Sequence, residues 1–324
     1  VHSAPSYGMD DFVTCREHGM SFDDMLNPVQ GNGVYADDLP FFGGQMIWKA
    51  NPNIIEKLRD VNALMAHTPI KHSYMHCWRH KTPVIYRATA QWFVGMDIQG
   101  KDGKTLRERA LAGIEATEFT PAWGQARLHS MIANRPDWCI SRQRSWGLPI
   151  PAFMKEGFET LLTEKSVRAV AQTVRKEGAG FWFRASVEDI LGDYDPAEDE
   201  NAPAWLREKG KAGISELSPS QDIFDVWFES GSSWNAVLRE RKLGYPSEYY
   251  IEGSDQHRGW FQLSLLPSLV SQGRAPFKTL LTHGFIVDAQ GRKMSKSVGN
   301  TINVQDLLDK YGADISRWWV ASLN

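Results

Sequence analysis

The sequence has 324 residues, a formal net charge of −3, 42% hydrophobic residues and 23% charged residues. These values are ordinary for a globular protein with room for two domains, and they exclude a globally basic surface for nucleic acid. Three cysteines favour a reducing, cytoplasmic setting over a disulfide framework, and no apolar run approaches the ~20 residues needed to cross a membrane.

The first predicted element is a loop from His2 to Gly8, because proline and glycine interrupt any regular structure there. A helix is predicted to begin near Asp10, where Asp10 and Asp11 would be stabilised by the helix dipole. A fixed carboxylate at this position could instead bind an ammonium group, but the Asp-Asp pair alone favours the capping role. Apolar residues at helical spacing predict a second helix over residues 53–66.

Residues 71–83 contain half of a possible zinc site, because Cys77 and His80 have the i, i+3 spacing of two zinc ligands. His72 and His76 lie near in the sequence. A structural zinc site normally takes four ligands, however, and no second Cys/His pair follows elsewhere. We therefore predict that zinc is not bound here.

The next predicted elements are a strand and a helix. β-branched and aromatic residues predict a strand over residues 84–94. Residues 105–117 are predicted to form a helix with one polar face, because Leu106, Ala110 and Ile114 recur at helical spacing and would turn inward.

Arg142 and Arg144 would point the same way if their segment were extended. Guanidinium groups suit phosphates on a substrate or on RNA, and a surface salt bridge is the alternative. The sequence identifies no partner for either arginine. Within residues 151–220, a helix over 161–176 is predicted, and the charged stretch 192–213 is predicted to be a solvated loop or a small insertion, with no recognisable chemistry.

The following region alternates strands with a helix, which predicts a parallel sheet with short connections. Its predicted elements are a buried strand and turn over 222–233, a strand over 247–251, a helix over 255–271 and a strand over 277–281. Ligands on such sheets bind at the carboxyl ends of the strands, where Glu252, Gly253 and Asp255 fall. Glu252 supplies an acceptor, Gly253 would let a ligand approach the backbone, and Asp255 could accept ribose hydroxyls or cap the next helix.

The segment Gly291–Asn300 places two lysines and two serines between two glycines. Glycines allow a mobile loop, and Lys293 and Lys296 suit phosphate oxygens. Such a loop could close over a triphosphate and stabilise charge as pyrophosphate leaves; a solvated basic turn is the alternative. Residues 304–321 are predicted to form two helices around Gly312.

The string Lys293-Met294-Ser295-Lys296-Ser297, with Tyr250–Phe261 and Thr282–Phe285, resembles the signatures of class I aminoacyl-tRNA synthetases, and of the isoleucyl-tRNA synthetase family in particular. The resemblance runs along almost the whole chain and covers a middle part of that enzyme. It implies an α/β fold that is the second half of a Rossmann-type catalytic domain, with the tail of an inserted mostly-β editing domain and the start of a C-terminal helical region. The implied divisions are 1–70 for the editing tail, 71–150 for the return segment, 151–220 for a small insertion, 221–303 for the catalytic half with signature loop 293–297, and 304–324 for the start of the helical region that contacts the tRNA stem.

The resemblance also implies the activity of an isoleucine–tRNA ligase. ATP, with Mg²⁺, would activate isoleucine to isoleucyl-adenylate, and the amino acid would pass to tRNA(Ile). Lys293 and Lys296 are the implied catalytic residues, and Lys296 is the position that binds ATP. His2 and Asp11 match an editing site that hydrolyses tRNA mischarged with valine. The implied substrate-binding and adenylate-binding residues are Trp227, Glu252, Gly253, Asp255, Gln256, Trp260, His283 and Gly284.

The family's second ATP-binding signature, His-x-Gly-His, does not occur in this sequence. We therefore expect an internal fragment that alone neither activates isoleucine nor edits. Three alternatives stay open: a valyl- or leucyl-type class I synthetase, another adenylate-forming nucleotidyltransferase that shares the lysine–serine loop, and a non-catalytic tRNA-binding module. The net charge of −3 speaks against the last of these.

Overall fold

The computed structural model describes residues 2–22, 24–77, 80–144, 146–296 and 298–322. The chain divides into two units, Val1–Ala90 and Gln91–Asn324. The domain divisions implied by the resemblance stay predictions.

The first unit contains two helices, α1 (Met9–Glu17) and α2 (Ile47–Asp60). Helix α1 begins where the sequence predicts it, whereas α2 begins before the predicted residue 53 and includes Pro52. Among the residues that the structure describes here, β pairing is limited to three isolated bridges. The assignment of this unit to the tail of a mostly-β editing domain therefore stays a prediction.

The second unit mixes α and β structure. Its strands are β1 (Phe93–Val94), β2 (Glu118–Thr120), β3 (Trp138–Cys139), β4 (Ser141–Arg142), β5 (Phe153–Met154), β6 (Ser218–Pro219), β7 (Ile223–Phe224), β8 (Ser247–Gly253) and β9 (Phe277–His283). Its helices are α3 (Leu106–Glu115), α4 (Trp123–Ala133), α5 (Glu164–Glu177), α6 (Val187–Leu191), α7 (Ala204–Lys209), α8 (Val226–Gly231), α9 (Trp260–Gln272) and α10 (Val304–Ala321).

Strands β2, β9 and β8 form a parallel sheet with β9 in the centre. Leu280 of β9 pairs with Phe119 on one side and with Tyr250 on the other. The predicted parallel arrangement is confirmed, and so are the strands predicted over 247–251 and 277–281. Because parallel strands end at the same edge, the sheet presents all three carboxyl ends together.

One hydrophobic core forms around this sheet. Helix α9 lies at its centre, and Phe261 and Leu265 are fully buried. Helix α3 buries Leu106, Ala110 and Ile114, as the sequence predicts. Burial of such apolar surface stabilises the fold by about 25 cal/mol per Å².

A second core lies within residues 153–217 and is built from short helices. The predicted helix over 161–176 is confirmed as α5, which begins after Thr163. The solvated loop predicted over 192–213 is wrong. That stretch contains α7 and buries Leu206 completely, because its charged and turn-forming residues alternate with apolar residues that fill the core.

The predictions for residues 84–94, 222–233 and 304–321 are met to different extents. The strand predicted over 84–94 is wrong except at Phe93–Val94, because β-branched composition forms a strand only where a partner strand is available. The buried strand near residue 222 ends at Phe224, where Asp225 caps α8. The break at Gly312 is confirmed, since Gly312 has φ 79° and ψ 167° between the two halves of α10.

Candidate active site

The carboxyl ends of β8 and β9 bring several predicted site residues to one edge of the sheet. Glu252 pairs in register with Thr282, and Gly253 pairs with His283. Gly284 follows directly, and both His283 and Gly284 are exposed. The structure therefore brings four predicted site residues together at the carboxyl ends of β8 and β9.

Gly253 is buried beneath the ring of Phe285. A β-carbon at position 253 would come within 2.7 Å of Phe285 Cε1, so any larger residue would have to displace that ring. Glu252 beside it is exposed, and its carboxylate lies 3.4 Å from the Gly253 backbone nitrogen. Packing against Phe285 thus explains the glycine, and the sequence could not indicate this contact because Phe285 lies beyond the end of β9.

The sequence allows two roles for Asp255, helix cap and ligand acceptor, and in the structure Gln256 takes the first of these. The Gln256 side chain accepts a hydrogen bond from the Trp260 backbone N–H at 3.0 Å, so it caps the start of α9. Asp255 instead lies 3.3 Å from the ammonium group of Lys293, and both side chains are about half exposed. The carboxylate of Asp255 therefore faces the signature loop and remains accessible to a ligand.

Trp227 and Trp260 both lie near the start of α9, where Trp227 is close to Gly259. Trp260 stacks flat on Tyr250, with 4.0 Å between ring centroids, and its indole N–H donates to Ser230 O at 3.0 Å. Trp227 leaves 42% of its surface exposed and lies against Gly259, where a β-carbon would come within 2.8 Å of Cη2. Trp260 is therefore fixed, while Trp227 offers an open apolar face.

The signature loop folds back onto the strand edge as a hairpin that pairs Val287 with Lys293. The Lys293 ammonium lies 3.6 Å from the centroid of the Phe285 ring, in addition to its contact with Asp255. Such a cation–π contact adds a modest attraction. Lys296 is exposed and pairs with no residue that the structure describes; Ser297 of the signature lies outside the described residues.

His257 is buried below this edge, and the sequence did not single it out. Its Nδ1 lies 3.0 Å from Ser254 O, and its ring packs 5.6 Å from the ring of Trp123. Burial lowers the pKa of His257, and the charge of Arg127 acts in the same direction. Neither His257 Nε2 nor the buried Thr282 Oγ1 has a hydrogen-bond partner among the described residues.

Arg142 has a structural partner that the sequence did not identify. Its guanidinium lies 3.1 Å from the carboxylate of Asp225, whose side chain is only 8% exposed. Asp225 also accepts the backbone N–H of Trp227 at 3.4 Å and so holds the start of α8. Arg144 is exposed, and no described residue pairs with it.

The predicted editing residues lie in the first unit. Asp11 accepts a hydrogen bond from the Ala4 backbone N–H at 2.8 Å and thereby fixes the loop before α1. His2 is exposed.

The possible zinc site keeps two of its residues together. Cys77 Sγ lies 3.5 Å from His80 Nδ1, but no group of three or more His, Cys, Asp or Glu among the described residues could hold a metal ion.

A family model described as tRNA synthetases class I (I, L, M and V) matches residues 21–324. The chain belongs to the class I tRNA synthetases. This membership and the mixed α/β architecture confirm the predicted fold class at that level, and the resemblance found in the sequence is confirmed.

Among these synthetases, the chain is similar to curated proteins named isoleucine–tRNA ligase. It is 61% identical to that of Chromohalobacter salexigens and 56% identical to that of Ectopseudomonas mendocina, in each case over 99% of this chain. The chain spans 33% of the length of each of these relatives. A solved ternary complex of the Agrobacterium radiobacter K84 AgnB2 LeuRS with tRNA and LeuAMS is similar over 55% of this chain and 23% of that chain. The identity is 21% and the TM-score is 0.37. None of the helices described in this synthetase chain is long and apolar enough to span a membrane.

Proposed function

We propose that this chain is the part of an isoleucine–tRNA ligase that holds isoleucyl-adenylate and the signature loop. The observation that carries the proposal is the contact between Lys293 of the loop and Asp255 at the carboxyl edge of the sheet. This contact brings a phosphate-binding cation beside an acceptor suited to a ribose. The names of the relatives support isoleucine as the amino acid.

The proposed reaction is in-line attack of the isoleucine carboxylate on the α-phosphorus of ATP, with pyrophosphate as the leaving group. No protein nucleophile is required, because positioning and charge stabilisation supply the catalysis. Lys296 is accessible and would bind the triphosphate, and Lys293 would join it on leaving Asp255. Mg²⁺ would enter with ATP as part of the substrate, held mainly by phosphate oxygens.

The adenylate would lie along the strand edge. Asp255 would accept the ribose hydroxyls, and His283 with Gly284 would lie beside the adenine. Glu252 and Gln256 would provide polar contacts. The open face of Trp227, backed by the fixed Trp260, would form part of an apolar wall for the isoleucine side chain.

The remaining steps involve tRNA(Ile). Its terminal ribose hydroxyl would attack the adenylate, and Asp11 with His2 would belong to the site that removes valine from mischarged tRNA. Editing is needed because an apolar pocket discriminates weakly against a side chain that is one methylene shorter, as is known for isoleucine against valine. We propose that the 324-residue chain alone performs neither reaction.

The test is amino-acid-dependent ATP–pyrophosphate exchange, measured with the complete polypeptide that carries these residues. Isoleucine should support exchange, and Lys296→Ala should lower the rate on the order of 100-fold, because it removes a charge that stabilises the leaving pyrophosphate. Lys310→Ala, on α10, is the matched control and should leave the rate unchanged.

Two outcomes would contradict the proposal. Faster exchange with valine or leucine than with isoleucine would favour the other synthetase types. Binding of tRNA(Ile) with no exchange for any amino acid would favour the non-catalytic module.

A further inference from the structure

Asp288 and Asn300 join the two ends of the segment that carries the signature lysines. The Asn300 amide donates to Asp288 Oδ2 at 2.8 Å and to Lys293 O at 3.3 Å. Its carbonyl oxygen accepts the backbone N–H of Ser295 at 2.9 Å. One side chain therefore bonds to the backbone on both sides of Met294 and ties this backbone to Asp288. We refer to Asp288 and Asn300 as the clasp.

Asp288 is itself firmly held. Its side chain is 10% exposed and accepts the backbone N–H groups of Gln290 at 3.0 Å and Arg292 at 2.9 Å, and it forms an ion pair with the Arg292 guanidinium at 2.8 Å. The amide of Asn300 and the backbone N–H of Arg292 lower the pKa of Asp288 to about 2. The carboxylate is thus charged at any pH at which a synthetase works, and it is a permanent acceptor for Asn300.

Lys293 and Lys296 differ in how many contacts hold them in place. The backbone of Lys293 is bonded to Asn300, and its ammonium contacts Asp255 and Phe285. The backbone of Lys296 lies in a turn, in which the N–H groups of Val298 and Gly299 donate to Ser295 O at 3.2 Å and 3.1 Å. Its side chain is exposed, and its ammonium group forms no hydrogen bond or ion pair with a described residue. Both backbones are therefore held, but only the ammonium group of Lys293 has partners at the strand edge.

We propose that Asp288 and Asn300 are positioning residues for the signature loop: they fix the peptide of Lys293 against the strand edge and leave the ammonium group of Lys296 accessible to the triphosphate. The hydrogen bonds of the clasp stand independently of any activity. The catalytic consequence rests on the proposed function.

The direct test is limited trypsin digestion of the 324-residue chain, with the rates of cleavage after Lys293 and after Lys296 measured by mass spectrometry. In the wild-type chain, cleavage after Lys296 should be the faster, because its side chain is exposed whereas the ammonium group of Lys293 contacts Asp255 and Phe285. Asn300→Ala should raise the rate after Lys293 relative to that after Lys296 by about tenfold, because hydrogen bonds to both flanks of Met294 are lost. Asp288→Asn, which keeps the shape but removes the charge, should change the ratio in the same direction by less, and it is the second variant if Asn300→Ala does not fold.

Asn303→Ala is the matched control, because Asn303 caps α10 through Gln305 and forms no hydrogen bond with the described residues of the loop. It should leave the cleavage ratio unchanged. An unchanged ratio in both clasp variants would overturn the proposal. An equal rise in cleavage at sites throughout the chain would also overturn it, since that result would mean general destabilisation.

A second measurement separates the clasp from the proposed function. In the complete polypeptide, Asn300→Ala should lower kcat and raise the KM for ATP in the exchange reaction, while the KM for isoleucine stays within about twofold. A changed cleavage ratio with no exchange in the wild type would sustain the clasp and contradict the proposed function. Normal ATP kinetics in the variant, with exchange intact in the wild type, would refute the positioning role.

Discussion

Two buried polar groups of the second unit are satisfied to very different degrees. Asp199, in the core of residues 153–217, is fully buried and accepts the hydroxyls of Thr163 at 2.5 Å and Tyr194 at 2.8 Å. His257, beneath the candidate active site, is equally buried, but its Nε2 has no partner in the described part of the chain. The hydroxyls around Asp199 stabilise a buried carboxylate in the supporting core, whereas His257 lies beneath the candidate site with one ring nitrogen unsatisfied. The two residues therefore contrast a satisfied with an unsatisfied buried polar group.

The largest expected effect comes from breaking the satisfied cluster. Asp199→Ala leaves two buried hydroxyls without their acceptor and should lower the free energy of unfolding by about 3 kcal/mol, measured by urea denaturation. Glu200→Ala, at an exposed neighbouring position, is the control and should change it by less than about 0.5 kcal/mol. Equal effects of the two substitutions would mean that the cluster does not stabilise this core.

A matched pair of threonines sharpens the comparison. Thr163 is 8% exposed and hydrogen-bonded to Asp199, whereas Thr282 is 7% exposed and its hydroxyl has no partner among the described residues. Thr163→Val should lower the free energy of unfolding by about 2 kcal/mol, since it also removes the cap of α5, and Thr282→Val should change it by less than about 0.5 kcal/mol. Similar losses in urea denaturation would show that Thr282 has a partner after all.

The pH dependence of stability tests the His257 side of the comparison. Burial holds the pKa of His257 below its ordinary value, so the neutral form is favoured in the folded state. The stability contributed by neutral His257 is fully present above the ordinary histidine pKa of about 6.5. It is lost as the pH falls through the lower pKa that His257 has in the folded state. The free energy of unfolding should therefore fall between pH 7.5 and pH 5.5 by more in the wild type than in His257→Asn. A steeper fall in the variant would contradict this assignment.

The smallest effect is expected at the signature loop. The ion pair of Lys293 with Asp255 is about half exposed, so Lys293→Met should change the free energy of unfolding by less than about 0.5 kcal/mol. A loss above about 1 kcal/mol in urea denaturation would mean that the pair supports the fold as well as the site.

The sequence predicts those features that depend on local periodicity. The inward residues of α3, the strands β8 and β9, and the break at Gly312 each follow from a pattern within a few neighbouring residues. The signature loop and the strand edge also follow, since the family resemblance and the rule for parallel sheets both point there.

The features that the sequence does not predict depend on contacts between distant segments. Asp199 lies in a stretch whose charge indicated a solvated loop, and only the surrounding fold provides its hydroxyl partners. Phe285 contacts Lys293 through the return of the hairpin, and Arg142 meets Asp225 across paired strands β4 and β7 and the start of α8. Asp288 of the clasp was not among the residues singled out from the sequence, although aspartate followed three residues later by glycine is typical of a tight turn.

The Arg142–Asp225 pair constrains how relatives of this chain can diverge. Loss of the arginine alone would leave a buried carboxylate without its counterion, and loss of the aspartate alone would remove the acceptor for the Trp227 N–H. A neutral side chain that can still accept that hydrogen bond, such as asparagine, is a replacement at position 225 that serves both needs. Changes at positions 142 and 225 should therefore occur together across an alignment of the family, with a neutral acceptor at 225 wherever the arginine is gone.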